Sequence, residues 1–171
     1  MVQIEYLPIV LTGIGLIVSI LYYTLTLQNS NKTQKQQLET RQLQLFMQIF
    51  QRYQDPEFHR NAEHKMLMEW QWDDYEDFHN KYGRNGDPES WAIFDTTLTW
   101  LDGIGILVKR GHLDPELVNE TLFLLIEKGW EKYSPIIQET RKEFNSPQIW
   151  INFEYLYNAI KPLNEEIRKN I

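Results

Sequence analysis

Glu76 and His79 stand three residues apart, the Glu-x-x-His step that places two ligands on one helix face in di-metal carboxylate bundles. A complete centre of that kind needs two such steps and two further glutamates, and the sequence offers one step. His59 and Glu63 are a helical turn apart, yet His64 falls about 140° from His59 around a helix, so these three do not converge. Asp95 and Asp102 lie two turns apart, about 10 Å along a helix, which would suit a hydrolytic acid pair. The plainer reading makes them the polar edge of a buried helix, with Arg141 as a partner for the pair. The chain has no Cys nucleophile, no phosphate-cradling glycine loop and no nucleophile elbow, and Gly83-Arg84-Asn85-Gly86 reads as a turn. Catalytic, cofactor and metal residues are therefore all assigned as none. A membrane-tethered metal-dependent hydrolase is kept as the alternative class to a binding or adaptor module.

The most unusual stretch is Glu69-Trp70-Gln71-Trp72-Asp73-Asp74-Tyr75-Glu76-Asp77-Phe78. On a helical wheel Trp72, Tyr75, Phe78 and Tyr82 gather with Leu67 and Met68, and the acids spread over the other side with Trp70 among them. Glu69, Trp70, Asp73, Asp74 and Asp77 thus form a candidate protein-binding face for a basic segment. Its competitor is a solvated face with one Trp lying along it.

These residues are carried on a chain organised by its N-terminal segment. From Tyr6 through Asn31 there is no charged side chain. Helical geometry makes Leu7–Leu27 roughly 31 Å long, against a hydrocarbon core of about 30 Å. Tyr6 at one end and Tyr22-Tyr23 at the other suit the headgroup boundary. A cleaved signal peptide would want a basic start and a small-residue cleavage site; the only charge before the run is Glu5, and Leu25-Thr26-Leu27-Gln28 offers no such site. Lys32, Lys35 and Arg41 follow the span, which places the C-terminal side in the cytoplasm of a single-pass cell-membrane protein. The absence of Cys agrees with that compartment.

The organisation expected is an anchor over 1–28, a helical stalk over 29–54 and a cytoplasmic bundle over 55–171. Residues 1–54 hold four basic and two acidic side chains, so the remainder holds 13 basic and 22 acidic. An acidic head repels nucleic acid and an anionic leaflet, so the bilayer is a partner through the span alone. In the stalk Leu38, Leu45 and Ile49 suit docking on the head, with a short self-associating coiled coil as the second reading. Asp55-Pro56, Asp87-Pro88, Asp114-Pro115, Ser134-Pro135 and Ser146-Pro147 each read as a capping oxygen followed by Pro in the first helical turn. They predict five helices, over 56–82, 88–110, 115–133, 135–144 and 147–170, with Pro162 kinking or splitting the last. The 88–110 helix is the central one, and Gly103 with Gly105 marks a close helix crossing. No alternating strand pattern appears, so the fold class is all-α, a single-domain bundle of about five helices after the span and stalk.

The run Trp100-Leu101-Asp102-Gly103-Ile104-Gly105-Ile106-Leu107-Val108-Lys109-Arg110-Gly111-His112-Leu113-Asp114 is followed by Gly129-Trp130-Glu131-Lys132-Tyr133 and by Pro135-Ile136-Ile137 with Arg141. Together with Tyr22-Tyr23-Thr24-Leu25, Arg41 and Phe46-Met47-Gln48-Ile49, this resembles a family of small prokaryotic proteins of unknown function. The resemblance implies one N-terminal membrane span and a helical cytoplasmic head, and it implies no activity and no catalytic residues.

Overall fold

The computed structural model describes residues 7–169. Glu5 and Tyr6, read above as the far flank of the apolar run, lie outside them. The described residues form six α-helices and one π-helical segment, with no strand among them. The chain divides into two compact units, one ending at Leu43 and the other beginning at Gln44.

The first unit is the larger part of α1 (Leu7–Gln54). Its apolar stretch has a mean hydropathy of 2.0, and none of it is buried, so α1 is long and apolar enough to cross a membrane by length and composition. Ile9, Leu11, Ile14, Leu16, Ile17, Val18, Ile20 and Leu21 are all exposed around its circumference. Thr12, Ser19, Thr24 and Thr26 each donate their hydroxyl to the carbonyl four residues back, at 2.7–2.8 Å. Each of these four hydroxyls is thereby satisfied within the helix itself.

The second unit takes in the last turns of α1, where Ile49 is buried and Leu45, Phe46 and Tyr53 pack against the core. Asp55 caps α2 (Pro56–His59) by accepting from the Phe58 amide at 2.8 Å. The chain then widens into a π-helical segment, Arg60–Glu69, followed by α3 (Tyr75–Tyr82), α4 (Pro88–Lys109), α5 (Pro115–Glu143) and α6 (Ile151–Lys169). Asp87 and Asp114 also cap as expected, accepting from the amides of Glu89 and Ser90 and from that of Glu116. Gly111, at φ 70°, closes α4 in the left-handed conformation that glycine adopts without steric cost.

Four of the helix expectations are corrected. The 56–82 helix is interrupted at 70–74, as described below. Ser134-Pro135 starts nothing, and α5 runs through it. Pro135 and Glu131, the residue whose carbonyl loses its donor, are both exposed, so water can serve that carbonyl while buried Tyr133, Ile136 and Ile137 hold the helix in place. Ser146-Pro147 likewise fails to start α6, because Trp150 is at φ 48° and the helix begins only at Ile151. Pro162, also exposed, does not split α6.

What caps α6 instead is Asp102 from α4. One carboxylate oxygen accepts from the amides of Asn152 at 2.7 Å and Phe153 at 3.0 Å, and the other accepts from the Asn152 side chain at 3.1 Å. An anion at a helix N-terminus meets both unpaired amides and the positive end of the dipole. Asp102 is thus bound to α6 rather than to Arg141, which donates to the Ile149 carbonyl and the Glu154 carboxylate. Asp95 is exposed and has no share in this arrangement.

The α4–α6 pair is the most extensive helix contact, with α5 against α6 next. Phe94, Leu98, Leu101, Ile104 and Val108 fill the core face of α4, while Ile93, Trp100 and Leu107 are only half-buried. The two glycines in α4 differ. A Cβ at Gly105 would sit 1.9 Å from the Asn152 carbonyl oxygen, whereas one at Gly103 would meet nothing within 4 Å. Gly105 is the crossing point and Gly103 is not. Gly105→Ala should therefore destabilise the second unit by roughly 1–3 kcal/mol or more through overpacking, and Gly103→Ala should stabilise it by about 0.5–1 kcal/mol through helix propensity. Tryptophan fluorescence during denaturation checks both, since all six Trp lie between Trp70 and Trp150 and report on this unit alone.

Candidate protein-interaction face

The π-helical segment determines where the acidic stretch points. Phe58, Ala62, Met66 and Trp70 are all buried at a spacing of four. In a regular α-helix that spacing drifts about 40° per step; the wider i→i+5 turn offsets the drift and keeps the four side chains against the core. The segment ends with the Trp70 amide donating to Lys65 O at 2.9 Å, after which Trp70 is extended at φ −67°, ψ 129°. A wheel turned at 100° per residue through 56–82 is therefore out of phase from here onward.

Trp70 is the correction that matters. It is 5% exposed and stacks on Tyr82, with centroids 4.5 Å apart and planes at 13°. It belongs to the core and contributes nothing to the acidic face. Trp72, half-buried, stacks on Tyr133 at 5.1 Å and meets Phe78 edge-on at 5.1 Å. Phe78, fully buried, also touches Phe94 and Tyr82, so α3, α4, α5 and the 70–74 turn share one aromatic cluster. Offset and edge-to-face geometries of this kind favour the ring quadrupoles.

The acids of the stretch remain at the surface, but most are engaged. Asp74 caps α3 by accepting from the Asp77 amide at 2.9 Å, and Asp77 reaches back to accept from the Asp73 amide at 3.0 Å. This is a variant of the capping box, and Asp74-x-x-Asp77 was its signal in the sequence. Asp77 also pairs with Lys81 at 2.7 Å; that hydrogen bond, helped by the Asp73 amide, holds its carboxyl below the usual range. Glu69 lies 3.1 Å from His64 Nδ1. Asp73 and Glu76 are exposed.

Lys132, from α5, was not singled out by sequence reasoning for any role. Its Nζ donates to the carbonyls of Met66, Leu67 and Trp70 at 2.8, 2.9 and 2.7 Å, and the Tyr133 hydroxyl adds a second donor to Met66 O at 2.7 Å. The carbonyls left open at the end of the π-helical segment are thus closed by one half-buried ammonium. It also lies 5.1 Å from the Trp72 ring centre. Burial lowers its pKa below the ordinary lysine value.

The Glu76–His79 step does not become a ligand pair. Glu76 is exposed, while the His79 ring packs against Tyr75 at 4.5 Å and Trp91 at 5.7 Å. His59 Nε2 lies 3.5 Å from Glu63, which also accepts a hydrogen bond from Tyr53 and so ties the end of α1 to the π-helical segment. Among the described residues no three His, Asp or Glu side chains converge on one point as metal ligands.

The family described as a domain of unknown function, DUF4760, matches residues 9–160. The chain belongs to the DUF4760 family. The match runs from the first turns of α1 into α6, so it takes in the aromatic cluster, the Asp102 cap and the Lys132 clamp alike. No curated protein and no solved structure matches the chain.

Three substitutions separate this DUF4760 core from its acidic surface. Trp70→Ala should destabilise the second unit by roughly 3–5 kcal/mol, the cost of deleting a large buried ring. Lys132→Met, which keeps the stem and removes the donors, should cost about 1–3 kcal/mol by leaving carbonyls unpaired. Asp73→Asn should leave the fluorescence-detected denaturation midpoint in place. An unchanged midpoint for Trp70→Ala would contradict its assignment to the core.

Proposed function

We propose that this DUF4760 protein is a single-pass membrane protein whose helical head, on the cytoplasmic side, is a module that binds other proteins through basic segments. The observation that carries the membrane part is the surface of α1. Over residues 9–27 apolar side chains cover its whole circumference without protein neighbours, and the Thr and Ser hydroxyls there are bonded back to its own carbonyls. That combination suits hydrocarbon, where no water is available to satisfy a polar group. Lys32, Lys35 and Arg41 beyond the apolar stretch support a cytoplasmic C-terminal side.

The binding part is supported by the charge of the head, 13 basic against 22 acidic side chains over 55–171. Long-range steering by such a field favours cationic partners and weakens as salt screens it. With Trp70 in the core, the face at Glu69, Asp73, Asp74 and Asp77 has lost its aromatic anchor, and Asp73 is the part of it left for a partner, beside exposed Glu76.

Orientation is tested with a Cys introduced at exposed Asn85, the native chain having none. It should resist an impermeant thiol reagent in intact cells and react after lysis; labelling before lysis reverses the topology. A synthetic peptide rich in Lys and Arg should bind the detergent-solubilised chain with an affinity that falls as salt is raised, and a salt-independent affinity would argue against charge-led recognition.

A further inference from the structure

Between the first turns of α5 and the last turns of α6 lies a cleft of about 310 Å³ lined by Glu116, Asn119, Glu120, Leu163, Glu166 and Ile167. Its charged lining is entirely acidic. Glu116, Glu120 and Glu166 make no ion pair or side-chain hydrogen bond among the described residues. Elsewhere in the second unit Asp77, Glu127, Glu131, Glu139 and Glu154 each hold a Lys or Arg. Glu166 sits in the last turn of α6, beside the negative end of the helix dipole, where a carboxylate is disfavoured unless a cation joins it.

One of the lining residues, Asn119, adds an independent observation. Asn119 and Asn164 are 5% and 6% exposed, and Asn119 Nδ2 donates to Asn164 Oδ1 at 2.8 Å. The other two amide atoms, Asn119 Oδ1 and Asn164 Nδ2, are buried without a partner. Asn119, which lines the cleft, thus keeps an enclosed acceptor lacking its complement. Leu163 and Ile167 give the cleft an apolar wall suited to a methylene stem. A bare metal ion fits poorly, since no three acidic side chains among the described residues converge closely enough to hold one.

We propose that this cleft receives the cationic end of a Lys or Arg side chain presented by another polypeptide. The ammonium or guanidinium lies among Glu116, Glu120 and Glu166, and its stem runs along Leu163 and Ile167. Its N–H groups supply the donor that Asn119 Oδ1 lacks once that amide turns toward the cleft. This rests on the reading of the head as a binder of basic segments and gives that reading a place distinct from the Asp73 face.

The test uses the full chain in detergent micelles and three probes: N-acetyl-arginine amide, N-acetyl-lysine amide and the neutral isostere N-acetyl-citrulline amide. The two cationic probes should shift the side-chain amide resonances of Asn119 and Asn164, and the citrulline probe should not. Glu120→Gln combined with Glu166→Gln, both on exposed positions, should weaken binding roughly tenfold or more without lowering the denaturation midpoint. Equal shifts with the citrulline probe, or an unchanged affinity in the double variant, overturn the proposal. So does calcium chloride shifting the same resonances when the cationic amides do not. If a Lys- and Arg-rich peptide binds but leaves Asn119 and Asn164 unmoved, the cleft is the wrong place and the wider reading stands. If neither peptide nor amides bind, both fail.

Discussion

The head depends on one short stretch of backbone contact, where α6 begins against the middle of α4. Two residues of α4, three positions apart, make that contact workable. Asp102 supplies the charge that satisfies the free amides of α6, and Gly105 supplies the space for the Asn152 carbonyl. Neither is sufficient alone, because a capping carboxylate cannot reach the helix end unless the backbones come this close, and backbones this close would bury unpaired amides without the cap. Trp150, at φ 48°, turns the chain into this arrangement and anchors it with its own ring against Phe94. A left-handed conformation in a large residue is held only where its surroundings over-determine it.

The second constraint is the change of helical pitch between Arg60 and Glu69. It keeps Phe58, Ala62, Met66 and Trp70 in the core, and its cost appears as carbonyls without helical donors. Lys132 and Tyr133 meet that cost from α5, so the aromatic cluster and the end of the π-helical segment are fixed by neighbouring residues of one helix. An ammonium among three carbonyls is neutralised by dipoles and not by a carboxylate, which leaves the acids of the 69–77 stretch to other partners.

Much of this was legible in the residues. The all-α class and the three Asp-Pro caps follow from local chemistry, and each stands in the structure. What was not legible came from places where tertiary contacts override local signals. Ser134-Pro135 carries a start signal as clear as Asp55-Pro56, yet buried neighbours on both sides carry α5 through it. Asp102 read as a polar edge because its partner, a helix end about fifty residues away, leaves no trace in local spacing. Trp70 was misplaced for a geometric reason: a wheel assumes a constant pitch, and nothing in Arg60-Asn61-Ala62-Glu63-His64 announces a wider one. The Asp74-x-x-Asp77 capping pattern did announce a new helix, and it would have cut the 56–82 helix in the right place.

The hydrogen bond between Asn119 and Asn164 also bears on how α5 and α6 find each other. Apolar side chains along two helices tolerate several alignments, because Leu, Ile and Val surfaces are nearly interchangeable. A lone amide pair does not tolerate them. Sliding one helix past the other by a turn, about 5.4 Å, would set each Asn against hydrocarbon and leave all four amide groups unmet. The pair therefore acts as an alignment pin, contributing little net stability in the correct register and imposing a heavy penalty in the others.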